Sequence, residues 1–149
     1  METGIDFLRE YFDLENRDLK TYSPLTLAYI GDGAYEIIIR TILVSQGNCP
    51  PNKLHKRASA LVKAETQSDM MTVIEPLLTE EEESVYKRGR NAKSYTMAKN
   101  ASMSDYRRAT GFEALMGYLY LDGRQDRMAE LIKIGLEKVH GRTNDRAGE

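Results

Sequence analysis

The sequence predicts an all-α domain, and three observations carry that prediction. Apolar residues recur at helical spacing along nearly the whole chain, no stretch alternates with period two between hairpin dipeptides, and several segments open on a good helix-capping residue. With 149 residues, 41% of them hydrophobic, the chain can build one compact core and is short for two. One domain is therefore expected over residues 1–140, followed by a polar, disordered tail over 141–149, GRTNDRAGE.

Taken in order, the pattern gives five or six helices. A short one is expected from about Asp6 to Phe12. Ser23 followed by Pro24 is a capping serine with a first-turn proline, and it opens a long helix with Leu27, Gly31, Ala34, Ile38 and Ile42 on one face, ending near Gly47. After the loop GNCPP, one helical pattern runs from about Asn52 through Leu54, Ala58, Leu61 and Val62 to Ile74, where Pro76 interrupts it. Thr79 ahead of Glu80 to Glu83 caps the next helix and places acids where the helix dipole favours them; that helix is expected to end at Gly89. Residues 90–103 read as a loop, Ser104 or Asp105 as the cap of a helix to Leu121, and about Gln125 to His140 as a final amphipathic helix.

Composition narrows the chemistry. The lone Cys49 has no partner for an internal disulfide, and two histidines, His55 and His140, are too few for a Cys/His zinc site, so any metal must be held by oxygen. No apolar run approaches the roughly 20 residues of a membrane span. The N-terminus carries acids where a secretory signal carries bases, so a cytoplasmic location is expected. The net charge of −2 does not announce a nucleic-acid partner, but the basic residues are clustered.

Two acids stand out because each interrupts an apolar helix. In PLTLAYIGDGAYEIIIR, Asp32 lies between Gly31 and Gly33 and shares a helical face with Ala28, Tyr35 and Glu36. In TGFEALMGYLYLDG, Glu113 has Ala109 and Gly117 one turn away on either side. Small neighbours let another backbone or a ligand come close. A partly buried carboxylate with no nearby cation costs several kcal/mol unless something positive meets it. Mg²⁺ suits such a sparse site, since it accepts one or two carboxylates and completes its shell with water and phosphate. The plainer reading of either acid alone is a solvated surface residue.

AYIGDGAYE resembles the LGDA-type signature of the ribonuclease III family, and GFEALMGYLYLDG is similar to that family's second characteristic stretch. With YKRGRNAKS ahead of the second motif, residues 20 to 140 look most like the compact Mini ribonuclease III branch, which lacks a double-stranded RNA-binding domain. The resemblance implies an all-α, homodimeric, Mg²⁺-dependent endoribonuclease acting on double-stranded RNA, with Mn²⁺ as a substitute ion. For the Mini branch it implies precursor 23S ribosomal RNA as substrate. Asp32 takes the position of the signature aspartate and Glu113 that of the metal-binding glutamate, which makes both catalytic metal ligands; Tyr29 takes that of an aromatic that plugs into the partner subunit. The family's further acids, four residues before the aspartate and three before the glutamate, are replaced by Ala28 and Thr110. That leaves fewer ligands, and Glu36, one turn after Asp32, is the nearest substitute.

Between Lys87 and Arg108 the cations Lys87, Arg88, Arg90, Lys93, Lys99, Arg107 and Arg108 face one acid, Asp105, and Lys53, His55, Lys56, Arg57 and Lys63 form a second cluster. Such grouping in an acidic chain is a phosphate-binding footprint. Lys87, Arg88, Arg90, Asn91 and Lys93, with Tyr95 beside them, are the candidate RNA contacts, and binding is expected to depend steeply on salt. Two other readings stay open at this point. The loss of acids at Ala28 and Thr110 also suits an inactive RNA-binding module, and a purely structural helical dimer would find core partners for Asp32 and Glu113.

Overall fold

A computed structural model of the chain describes residues 4–93 and 102–147. Its regular structure there is helical throughout, as predicted: α1 (Gly4–Tyr11), α2 (Pro24–Val44), α3 (Pro51–Val62), α4 (Ala64–Ile74), α5 (Glu80–Asn91), α6 (Met103–Leu121) and α7 (Gln125–Ala147), with 3₁₀ turns at Leu19–Thr21 and Glu75–Leu77. No described helix is long and apolar enough to cross a membrane.

The helix starts follow local chemistry. The Ser23 hydroxyl accepts from the Thr26 N–H ahead of α2, and Thr79 and Glu82 form a reciprocal capping box at α5. At α6 the cap is Ser102 rather than Ser104 or Asp105, its hydroxyl accepting from the Asp105 N–H. The single helix expected from Asn52 to Ile74 is two, because Lys63 takes an extended conformation (φ −69°, ψ 154°) and the Thr66 hydroxyl donates to the Ala60 carbonyl across the break. Neither proline nor glycine marks that break in the sequence. Two further bounds move. α2 ends at Val44, before Gly47 at φ 119°, and α5 runs past Gly89 to Asn91. α7 stays helical to Ala147, with no proline after Gln125 to stop it.

Helix α6 is the axis of the fold and packs against α2, α4, α5 and α7. From Ala109 to Leu119 only Glu113 escapes full burial, the signature of a central helix rather than a one-faced one. On α2 the buried side runs Leu27, Ala28, Gly31, Ala34, Tyr35, Ile39 and Leu43, so Ile42, assigned to the inner face from its spacing, is exposed instead. Tyr35 meets Phe112 edge to face at 5.1 Å, and its hydroxyl donates to the Leu61 carbonyl at 2.7 Å, which ties α2, α6 and α3 together.

A buried ion pair fastens the other end. Glu82 is 0% exposed; Arg127 donates to its two oxygens at 2.9 Å each and to the Leu77 carbonyl at 2.9 Å. Burial pushes the Glu82 carboxyl up, but the Arg127 guanidinium, the Thr79 N–H and Arg124 outweigh it and hold the group below the usual range.

Candidate metal centre and RNA-facing surface

Helices α2 and α6 cross in backbone contact, and that crossing builds the site. A Cβ on Gly31 would fall 1.7 Å from the Glu113 carbonyl oxygen, and one on Gly117 would fall 1.9 Å from that of Leu27. Only glycine fits at either position. The residue after Gly31 is Asp32, and the approach places its carboxylate in hydrogen-bonding contact with the Glu113 side chain, the two residues lying 81 positions apart in the chain. A Cβ on Gly33 would meet nothing within 4 Å, so packing within the chain does not require glycine there.

The two acids differ in setting. Asp32 is exposed, not partly buried as its apolar neighbours suggest, whereas Glu113 is half-buried. Burial, and then the Asp32 carboxylate as hydrogen-bond partner and like charge, push Glu113 up to about 9. Without a cation, Glu113 therefore keeps its proton at neutral pH.

Neither position where the resemblance expects a further acid supplies a ligand. Ala28 is buried, and the Thr110 hydroxyl donates to the Tyr106 carbonyl at 3.0 Å. Glu36, the nearest substitute, accepts from Arg40 at 2.9 Å on the surface. Among the described residues no three His, Cys, Asp or Glu side chains gather.

Helix α5 lies against α6 through Gly89, where a Cβ would sit 2.7 Å from that of Ala114. Its outer side forms an open groove lined by Pro24, Glu80, Glu83, Ser84, Lys87, Arg88 and Asn91. Three of the five candidate RNA contacts share that groove, and Lys93 is exposed just beyond the helix. Arg90 is not among the groove residues; its guanidinium lies over the Tyr86 ring at 5.7 Å and its Nε donates to the Asn91 side-chain oxygen. Lys87 is paired with Glu83 at 2.6 Å. Arg108, counted with the basic stretch, instead clamps α6 to α4 through the Ser68 and Thr72 hydroxyls at 3.0 and 2.8 Å. Tyr95 and Lys99 lie outside the described residues. Tyr29 is 82% exposed on α2.

Sequence reasoning missed the roles of Arg127 and Arg108. The capping box at Thr79 and Glu82 was the available signal for the first; the second had none, because its partners are hydroxyls some 40 positions away in sequence.

The described geometry agrees with what comparison with known proteins finds. A model of the ribonuclease III domain matches residues 25–124. The chain is 52% identical over 132 residues to a Mini-ribonuclease 3 of Enterococcus faecalis, covering 87% of this chain and 99% of that protein. It is 50% identical over 131 residues to one of Clostridium tetani, covering 85% and 87%. A crystal structure of a Fusobacterium nucleatum protein superposes with a TM-score of 0.74 at 30% identity, over 82% of this chain and 98% of that one. Two acids meeting across a glycine seam, inside a domain matched along most of its length, leave one assignment: the chain belongs to the ribonuclease III family, among the Mini-ribonuclease 3 endoribonucleases.

Proposed function

We propose that this endoribonuclease cleaves double-stranded RNA with Mg²⁺ held by Asp32 and Glu113, that its substrate is precursor 23S ribosomal RNA, and that it acts as a homodimer. The observation carrying the reading is the convergence of the two acids across the Gly31–Gly117 seam. Their chemistry fits the ion. An exposed carboxylate beside a glutamate that keeps its proton when no cation is present is a place for positive charge, and the sparse donor set leaves the remaining positions to water and phosphate, as Mg²⁺ prefers. When bound, the ion supplies water activation and neutralises charge developing on the phosphate.

The chain's own part is positioning. Asp32 and Glu113 are fixed on two helices locked in backbone contact, so a phosphate drawn to them meets a rigid pair. Lys87, Arg88, Asn91 and Lys93 contact the backbone of the duplex from α5 and the residues after it, and Arg90 supports them from its stack on Tyr86. The choice of precursor 23S RNA follows from the family resemblance.

The homodimer rests on the outer side of α2. Leu25, Tyr29, Ile37 and Val44 are exposed along it, with Gly33 open among them, an apolar stripe for a second copy in which Tyr29 is the plug. Incubation with long double-stranded RNA and with precursor 23S RNA, in Mg²⁺ and in EDTA, tests the reading. Discrete products are expected only with the metal and the native acids. Equal cleavage in EDTA, or by Asp32→Asn, would overturn the metal assignment.

A further inference from the structure

The structure redistributes the basic charge. On and around α5 half of the described cations are occupied, Lys87 by Glu83, Arg90 by Asn91 and Tyr86, Arg108 by two hydroxyls, while Arg88, Lys93 and Arg107 are exposed without such partners among the described residues, and the α5 groove itself sets Lys87 and Arg88 beside Glu80 and Glu83. On α3 none is occupied: Lys53, Lys56, Arg57 and, at its end, Lys63 are all exposed, and none has a side-chain hydrogen bond or ion pair among the described residues. No carboxylate occurs between Glu36 and Glu65, a stretch that also contains Arg40.

Helix stability does not account for this. Lys53 and Lys56 lie near the N-terminal end of α3, where the dipole disfavours positive charge, and that end has neither a first-turn acid nor a side-chain cap. Lys53, Lys56, Ala60 and Lys63 follow one helical stripe, roughly 15 Å long at 1.5 Å per residue. The inner residues Leu54, Ala58, Leu61 and Val62 hold the helix to the body, and Leu54 and Ala58 line a pocket with Arg40 and Leu43 of α2. Asp32 is on that same α2, eight residues before Arg40, about 12 Å along the axis.

We propose that α3 is the principal phosphate-binding rail for the RNA duplex, supplying most of the salt-dependent affinity while the α5 groove supplies little. The proposal rests on the double-stranded RNA nuclease reading above. A linear polyanion matches a row of unpaired cations by charge. A membrane surface does not, since the outward residues of α3 are Asn52, Lys53, His55, Lys56, Arg57, Ser59 and Ala60, with no bulky apolar group to insert.

Binding of a short RNA duplex, read by fluorescence anisotropy across KCl concentrations in the Asp32→Asn background, tests it. Neutralising Lys53, Lys56, Arg57 and Lys63 to Gln is expected to lower the slope of log Kd against log salt by about 3.6, at roughly 0.9 for each phosphate that no longer meets a cation. Neutralising Lys87 and Arg88 should lower it by about 1 or less. An unchanged slope in a folded α3 variant overturns the proposal, as does a larger loss from the α5 pair. If the fourfold variant melts early, Lys53→Gln with Lys56→Gln alone must still lower the slope by more than one. Binding of the native protein to anionic phosphatidylserine vesicles through α3, with RNA affinity untouched, would also overturn it. Failure of the native protein to bind or cut the duplex in Mg²⁺ defeats the nuclease reading itself; cutting by a native protein whose α3 variant binds as before defeats only the rail.

Discussion

Two glutamates drawn out of solvent meet opposite fates in this fold. Glu82 is satisfied entirely from within, by Arg127, Arg124 and the Thr79 N–H, and its carboxyl is held low. Glu113 has for its nearest charged neighbour another acid, and it is pushed up to about 9. The contrast separates two uses of a buried carboxylate. One is finished by the protein and fastens helices; the other is left on rigid helices with a like charge for its neighbour and is accommodated by a proton.

The largest effect should come from breaking the finished site. Arg127→Leu takes from Glu82, at zero exposure, the guanidinium that bonds both its oxygens and leaves it only the more distant Arg124 and the Thr79 N–H, a loss of about 3–5 kcal/mol. Thermal melting should fall by roughly 10 °C or more, while the cleavage rate per folded molecule stays near native. A rate loss equal to that from changing Asp32 would erase the distinction between the two sites.

Breaking the unfinished site should do the reverse. Glu113→Gln or Asp32→Asn is expected to lower cleavage by at least about 10²–10³-fold, yet to leave the metal-free protein as stable or more stable by on the order of 1 kcal/mol, since it removes or lessens the cost of keeping Glu113 protonated in the folded chain at neutral pH. Melting in EDTA set beside single-turnover cleavage reads both quantities. A large drop in stability would mean that the pair is a structural element after all.

Gly31→Ala strikes the seam itself. Its Cβ has nowhere to go but into the Glu113 backbone, so the helices must part, at about 1–3 kcal/mol. The separation also moves Asp32 from Glu113, so cleavage should fall further than stability accounts for. Gly33→Ala, whose Cβ meets nothing within the chain, is the matched control for the stability part of this prediction.

How much of this was legible in the sequence follows from which signals are local. The starts of α2 and α5 were readable because Ser23–Pro24 and Thr79–Glu82 are short-range capping chemistry. Asp32 and Glu113 were readable as anomalies, acids beside glycine in apolar helices, and the resemblance paired them. What stayed hidden was long-range or compensated. The break at Lys63 arises from packing and a threonine hydroxyl, not a breaker residue. The clamp of Arg108 onto the Ser68 and Thr72 hydroxyls has partners that a charge count cannot see, whereas Lys87 with Glu83 and Arg90 with Tyr86 are one-turn pairs that the helical spacing already offered.

The smallest effect, and the one that probes both glutamates together, is the pH dependence of stability without metal. Glu82 is held below its ordinary value, so its contribution is present above the ordinary glutamate range and lost as pH falls through its depressed folded value. Glu113 runs the other way. The unfolded chain releases this proton near 4.5 and the folded chain keeps it until about 9, so stability declines as pH rises between those values. In EDTA, native protein should therefore lose melting temperature from pH 5 to 9 relative to Glu113→Gln, while Arg127→Leu, already deprived of its pair, should lose less than native on acidification. Divalent metal should flatten the alkaline decline, because the ion takes the place of the proton, and its apparent affinity should rise by up to tenfold per pH unit below about 9. Native and Glu113→Gln curves that run parallel in EDTA would show that Glu113 is not held above its ordinary range, and the contrast with Glu82 would then rest on geometry alone.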